Sequence, residues 1–196
     1  MSLSKYRSMD LIVLGGLAVM AVLLSQGLLI VFPETSFELS LVMLPGLLLA
    51  VRWGKWGLVP YFMALMFQLL FANRFDSWYM FLPIYMVSSL GFFIPVLIAR
   101  TKFKDYTSKL GGLLVVYSLA FLSMIILTAV PVAIFEGIPY IESLMLYTSV
   151  QLLNFVMVVI FSGLLYTSSK RQNHLFRDMT DYLLSVQEGI EDNEQD

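Results

Sequence analysis

The sequence predicts an all-α integral membrane protein: a bundle of six transmembrane helices, both termini cytoplasmic, with a short amphipathic helix at the C-terminus. Three observations carry that expectation. Hydrophobic residues make up 59% of the 196-residue chain and charged residues 13%, against about 45–50% and about 25% in a soluble domain. Apolar segments recur at 11–32, 39–51, 56–73, 78–99, 110–135 and 143–167, separated by short polar connections. The basic residues, finally, fall almost entirely on one side of the layout those segments imply.

The first segment is longer than the apolar region of about 7–15 residues in a signal peptide, and no small-x-small cleavage site follows it. It reads as a retained first span. Segments one, four, five and six are long enough to cross unaided, a span needing about 20 residues. Segments two and three are short, and Pro45-Gly46 interrupts the second, so a re-entrant hairpin competes with two crossings there.

Charge decides between them. Lys and Arg gather in cytoplasmic loops. With six crossings and the N-terminus inside, Lys5, Arg7, Arg52, Lys55, Arg100, Lys102, Lys104, Lys109, Lys170, Arg171 and Arg177 all fall inside. Arg74 alone, of 12 basic residues, falls outside. Without a crossing by segment two, three of the 12 fall outside in the best orientation. Six spans place the chain in the cell membrane as a multi-pass protein, with a membrane domain at 1–169 and a cytoplasmic helix and acidic tail at 170–196.

Pro45, Pro60, Pro83, Pro95 and Pro131 all lie in expected helices. Each removes a backbone donor that kinks or neighbouring helices must compensate, which suits a bundle with an internal cavity.

Polar side chains at membrane depth are costly unless they face the bundle interior, which makes each a candidate site. Tyr147, Gln151 and Asn154 follow i, i+4, i+7 spacing and share one face of the sixth helix. Hydrogen bonding between packed helices and ligand binding both account for them. Gln26 and Gln68, near the outer ends of spans one and three, are placed to join the same cavity, as is Tyr85. Trp78 and Tyr79 begin span four beside Arg74 and Asp76, either as an interfacial aromatic belt or as a ligand lid. The external connections also carry Glu34, Glu38, Glu136 and Glu142. Gly15, Ala18, Ala21 and Ser25 form a small-residue stripe on span one, suited to close packing within the bundle or to docking on another membrane subunit.

After the last span, Leu175, Phe176, Met179, Tyr182, Leu183 and Val186 recur at helical spacing, and an acidic run closes the chain. His174, the one histidine, lies in this polar segment and is assigned no role. Cysteine is absent, which removes disulfides and thiolate chemistry. No phosphate loop, H-E-x-x-H or G-x-S-x-G motif occurs, and no carboxylate sits at a span centre. An enzyme is not expected, nor a cofactor or a metal site, and no basic arm points to nucleic acid. Uphill transport by this chain would draw its energy from a partner.

The segment SFELSLVMLPGLLLAVRWGKWGLVPYFMALMFQLLF (36–71) resembles the second and third spans of S components of energy-coupling factor transporters, with a central proline, a small-residue basic turn and a glycine-marked re-entry. The length, six spans and both ends inside are similar as well. The resemblance implies a substrate-capture subunit for a vitamin-like micronutrient, energised by a membrane T subunit with two cytoplasmic ATPases. It implies a pocket near the external face lined from the sixth helix by Tyr147, Gln151 and Asn154, closed by the loop at Glu34–Glu38, with docking through the first helix. The Gly15/Ala18/Ala21/Ser25 stripe replaces the Ala-x-x-x-Ala pattern usual there. A membrane scaffold similar to a rod-shape-machinery component and a membrane sensor module are the alternatives.

Overall fold

In the computed structural model, residues 3–31, 41–71, 78–103, 106–107, 109–168 and 175–193 are described. They are helical with short connections, and no strand occurs among them. Seven α-helices follow in order: α1 (Leu3–Val31), α2 (Met43–Trp53), α3 (Leu58–Phe71), α4 (Trp78–Lys102), α5 (Leu110–Glu136), α6 (Tyr140–Ser168) and α7 (Met179–Asn193), with a 3₁₀ turn at Gly54–Gly57 joining α2 to α3. Four of them, α1, α4, α5 and α6, are long and apolar enough to cross a membrane.

The pair α2–α3 is short, as segments two and three of the sequence are, and neither helix is among the four long enough to cross. At 1.5 Å per residue, α2 rises about 17 Å and α3 about 21 Å, both less than the hydrocarbon thickness of about 30 Å. The reason α2 tolerates this is its surroundings. Every residue from Met43 to Trp53 except Leu44 is buried, with α1, α4, α6 and α7 among its neighbours. A helix wrapped in protein has no need to satisfy lipid along its length.

The prolines sort by position. Pro45 and Pro60 lie in the first turns of α2 and α3, where a missing N–H costs no intrahelical bond. Only Pro83, Pro95 and Pro131 are interior to their helices. Two glycines allow close contact between helices. A Cβ on Gly91 would stand 2.8 Å from Met124 Cα, so this residue lets α4 lie against the α5 backbone. A Cβ on Gly46 would stand 2.5 Å from the Tyr61 ring, which fills the space that α2 leaves there. Around these points the core is aromatic: Tyr61 stacks on Phe92 at 5.7 Å between centroids, and Tyr117 stacks on Phe155 at 5.5 Å.

One end of the bundle is knotted together by charge. Asp10, in the third turn of α1, accepts from Arg52 Nε at 2.9 Å and also from the Trp53 indole N–H at the end of α2. The Arg52 side chain is 9% exposed and reaches the Leu175 carbonyl at 3.4 Å. The turn after α2 passes through Gly54 in a left-handed conformation (φ 53°), with the Arg100 guanidinium packed over its Cα. Arg7 lies 4.3 Å from the centre of the Trp56 ring, and Arg100 pairs with Asp178. The start of α1, the α2–α3 turn, the end of α4 and the approach to α7 therefore share one end, and the basic residues Arg7, Arg52, Lys55 and Arg100 share it with them.

The C-terminal helix begins later than its periodicity suggests. Leu175–Asp178 form a turn, and Asp178 Oδ1 accepts from the backbone N–H of Thr180 at 3.0 Å, capping α7. Phe176 and Met179 are buried in the core shared with the membrane helices, and Phe176 meets Tyr166 of α6 with ring centres 6.2 Å apart. This helix is packed on the bundle end.

Candidate functional site

At the end away from that charged cluster, five helices leave a cavity of about 310 Å³. The first residues of α2 supply Val42 and Met43, and the later turns of α3 supply Leu65 and Gln68. The first half of α4 contributes Phe81, Tyr85 and Ser88, the far end of α5 contributes Glu136, and α6 contributes Tyr147 and Gln151. The walls are apolar and aromatic, with a few polar groups entering from α3, α4, α5 and α6. That is the usual composition of a small-molecule site, and the volume lies at the lower end of the usual range of about 300–1,000 Å³.

The i, i+4 spacing of α6 does what helical geometry requires: Tyr147 and Gln151 both face the cavity. Asn154, one turn on and 1% exposed, lies behind them and donates its Nδ2 to Gln151 Oε1 at 2.8 Å. The bond occupies the Gln151 carbonyl and leaves its Nε2 as a donor for the cavity. Gln68 faces Gln151 and Tyr147 from α3. The site thus offers amide donors and acceptors, phenols and one serine hydroxyl, together with aromatic faces at Tyr61, Phe81, Tyr85 and Tyr147. Such a set binds a flat polar molecule by stacking and by a few directed hydrogen bonds.

Of the residues singled out from sequence, the structure brings Gln68, Tyr85, Tyr147 and Gln151 to one cavity. Trp78 is not among its walls. It is 54% exposed and lines a shallow cleft between α3 and α4 with Met66, Leu69, Leu70 and Leu82. Tyr79 is 60% exposed. Gln26 is half-buried on α1 and does not line the cavity. Arg74 and Glu38, with Glu34 and Asp76, lie outside the described residues.

The small-residue stripe of α1 faces inward. Ala18 and Ser25 are buried; a Cβ on Gly15 would stand 3.0 Å from Pro60 of α3; and Ser25 accepts from Leu41 N at 3.0 Å. The chain's own α2 and α3 fill the stripe, which is the intra-bundle alternative for these residues. The face of α1 that remains open is apolar instead, with Ile12, Val13, Leu17, Met20 and Leu24 exposed.

Several cavity residues escaped the sequence analysis. Tyr61, Met43, Met80 and Met124 line it, yet in sequence they look like any other helix-filling residue. Ser88 had a signal, being one of two adjacent serines mid-way along an apolar span. Glu136 was recognised only as part of an external connection; among the described residues it is the one acidic side chain on the cavity wall. Among the described residues no cluster of His, Asp or Glu is arranged to hold a metal ion.

Fold and site together define a polytopic helical membrane protein with an internal cavity offset toward one end. Compared with protein-family models, with curated proteins and with solved structures, the chain matches none.

Proposed function

We propose that the chain is the substrate-capture subunit of a membrane uptake system for a vitamin-like micronutrient, in the manner of the S components it resembles, energised by a separate T subunit and cytoplasmic ATPases. The observation that carries this reading is the cavity shared by Gln68, Tyr85, Tyr147 and Gln151, at the end opposite the basic cluster. Basic residues mark the cytoplasmic side, so the cavity belongs to the external half of the bundle, where a capture subunit receives its ligand.

The same reading takes the bundle as six crossings. Arg52, Arg100 and the Asp178 turn share one end with the start of α1, which supports successive helices running in alternating directions. In that arrangement α2 and α3 are short crossings.

The polar groups suit a neutral or weakly charged heterocycle, held between tyrosine faces and fixed by the two glutamine amides. Tyr85 and Tyr147 stack on it, Gln151 donates through Nε2, and Gln68 supplies either sense. The test is to purify the full chain in mild detergent, denature it and identify the released small molecules by mass spectrometry. A molecule released from wild type at near-unit stoichiometry and lost from Gln151→Leu supports the reading. If none is released, and no vitamin in a panel raises the thermal midpoint, the reading fails.

A further inference from the structure

On the lipid-facing side of α4 and α5 runs a second, larger feature, an open groove of about 1180 Å³. Its walls are Pro95, Ile98, Val115, Leu119, Leu122 and Ile126, with polar atoms nearly absent along its length. Val115, Leu119 and Leu122 are each more than half exposed. The groove follows α5 from Gly111 to Leu127, about 24 Å of helix. That exceeds one leaflet, about 15 Å as half of the hydrocarbon core. Only at one end does its character change. There Lys102, the last residue of α4, and Lys109, the residue before α5, both stand on its rim and both are exposed. The mouth is open at Gly111, where a Cβ would meet nothing within 4 Å.

The two cations lie at the same end as Arg52 and Arg100, the side that positive charge marks as cytoplasmic. We infer that the groove binds a phospholipid with an anionic headgroup, one acyl chain lying between α4 and α5 and the phosphate held between Lys102 and Lys109. The apolar length selects a chain without regard to headgroup, since any acyl chain fills it equally well. Selection comes from charge: neither lysine has an acidic partner among the described residues within ion-pair distance, and basic pockets on the cytoplasmic side of helix pairs hold anionic headgroups. This site is separate from the internal cavity and stands independently of the transport reading.

The full chain is reconstituted in nanodiscs of equimolar phosphatidylcholine and phosphatidylglycerol, the latter carrying a photoactivatable acyl chain, and crosslinked peptides are mapped. Crosslinks are expected on residues 95–127. Native mass spectrometry should retain phosphatidylglycerol over phosphatidylcholine by about tenfold or more, each lysine near the surface contributing about fivefold. In Lys102→Gln/Lys109→Gln the crosslinks persist and the headgroup preference falls to near unity. In Gly111→Leu the crosslinks in the groove are lost, while the helical circular-dichroism signal is retained. Equal retention of the two lipids by wild type overturns the inference, as does an undiminished preference in the double variant or crosslinking confined to other helices.

Discussion

Asn154 donates its Nδ2 to Gln151 Oε1 at 2.8 Å, within α6, so a residue that does not touch the cavity sets the orientation of one that does. Gln151 then presents a donor rather than an acceptor to whatever enters. Replacing Asn154 by Leu frees the Gln151 amide to rotate and leaves its buried carbonyl unsatisfied, a loss of about 1–3 kcal/mol. Retention of the co-purifying molecule should fall about tenfold or more in Asn154→Leu.

The charged end gives a second expectation. Asp10 accepts from both Arg52 and Trp53, so Asp10→Ala removes the carboxylate from a nearly buried cation that keeps its contact with the Leu175 carbonyl. Breaking such a pair costs about 3–5 kcal/mol when burial is complete, and the residual exposure of Asp10, 19% for its side chain, places this one at or below the lower limit. Asp178 combines a helix cap with the Arg100 pair. Asp178→Ala should lose about 1 kcal/mol for the cap and loosen the start of α7, whose apolar contacts through Phe176 and Met179 remain. Thermal midpoints in detergent should rank wild type above Asp178→Ala above Asp10→Ala, with amide exchange across 179–193 accelerated in Asp178→Ala.

Glycine substitutions separate packing from propensity. A methyl at Gly91 collides with the α5 backbone, whereas one at Gly16 meets nothing within 4 Å. Gly91→Ala should lower the thermal midpoint. Gly16→Ala should leave it unchanged or raise it, the helix gaining about 0.5–1 kcal/mol from the more restricted residue.

Tyr106 provides a pH handle outside the spans. Burial pushes its phenol above the ordinary tyrosine range, the neighbouring Arg100 opposes this and Asp178 adds to it; its hydroxyl is buried without a hydrogen-bond partner. A raised folded-state pKa means that the unfolded chain ionises first. The contribution is intact below about pH 10, the ordinary phenol value, and is lost as pH climbs beyond it. The alkaline fall in thermal midpoint should therefore be shallower in Tyr106→Phe, with near-equal stability of the two proteins at neutral pH.

Much of this architecture was legible from residues alone, and the gaps have physical causes. Segments 78–99, 110–135 and 143–167 correspond to α4, α5 and α6 because uninterrupted apolarity over 20 or so residues leaves few alternatives. Segment 11–32 missed the start of α1 at Leu3. Its first turns are polar because Asp10 has partners at the end of α2 and Arg7 has one in the turn that follows, and hydropathy cannot register a partner. Arg52 was placed in a loop for its charge; it closes α2, nearly buried, because Asp10 is there to receive it. At the site, Gln68, Tyr85, Tyr147 and Gln151 stood out because polar groups are conspicuous against an apolar background. Tyr61 and the methionines did not, since a cavity wall and a packed core use the same side chains. Trp78 drew attention beside charged neighbours, yet it is not on the cavity wall.

Position also determines which fluorescent reporter is informative. Trp78 lies outside the cavity, and Trp53 and Trp56 sit at the opposite end with Asp10 and Arg7. Ligand entry should leave the native tryptophan emission nearly constant. A tryptophan introduced as Phe81→Trp, on the cavity wall, should be quenched by an aromatic ligand.

Denaturing the purified full chain and measuring the stoichiometry of the small molecules released tests directly whether the cavity lined by α2, α3, α4, α5 and α6 holds a small polar molecule. Wild type should release close to one equivalent of a single compound, Tyr85→Ala and Gln151→Leu little of it, and Trp78→Ala as much as wild type. Release of no compound by wild type, or equal release by wild type and the two cavity variants, would contradict the account.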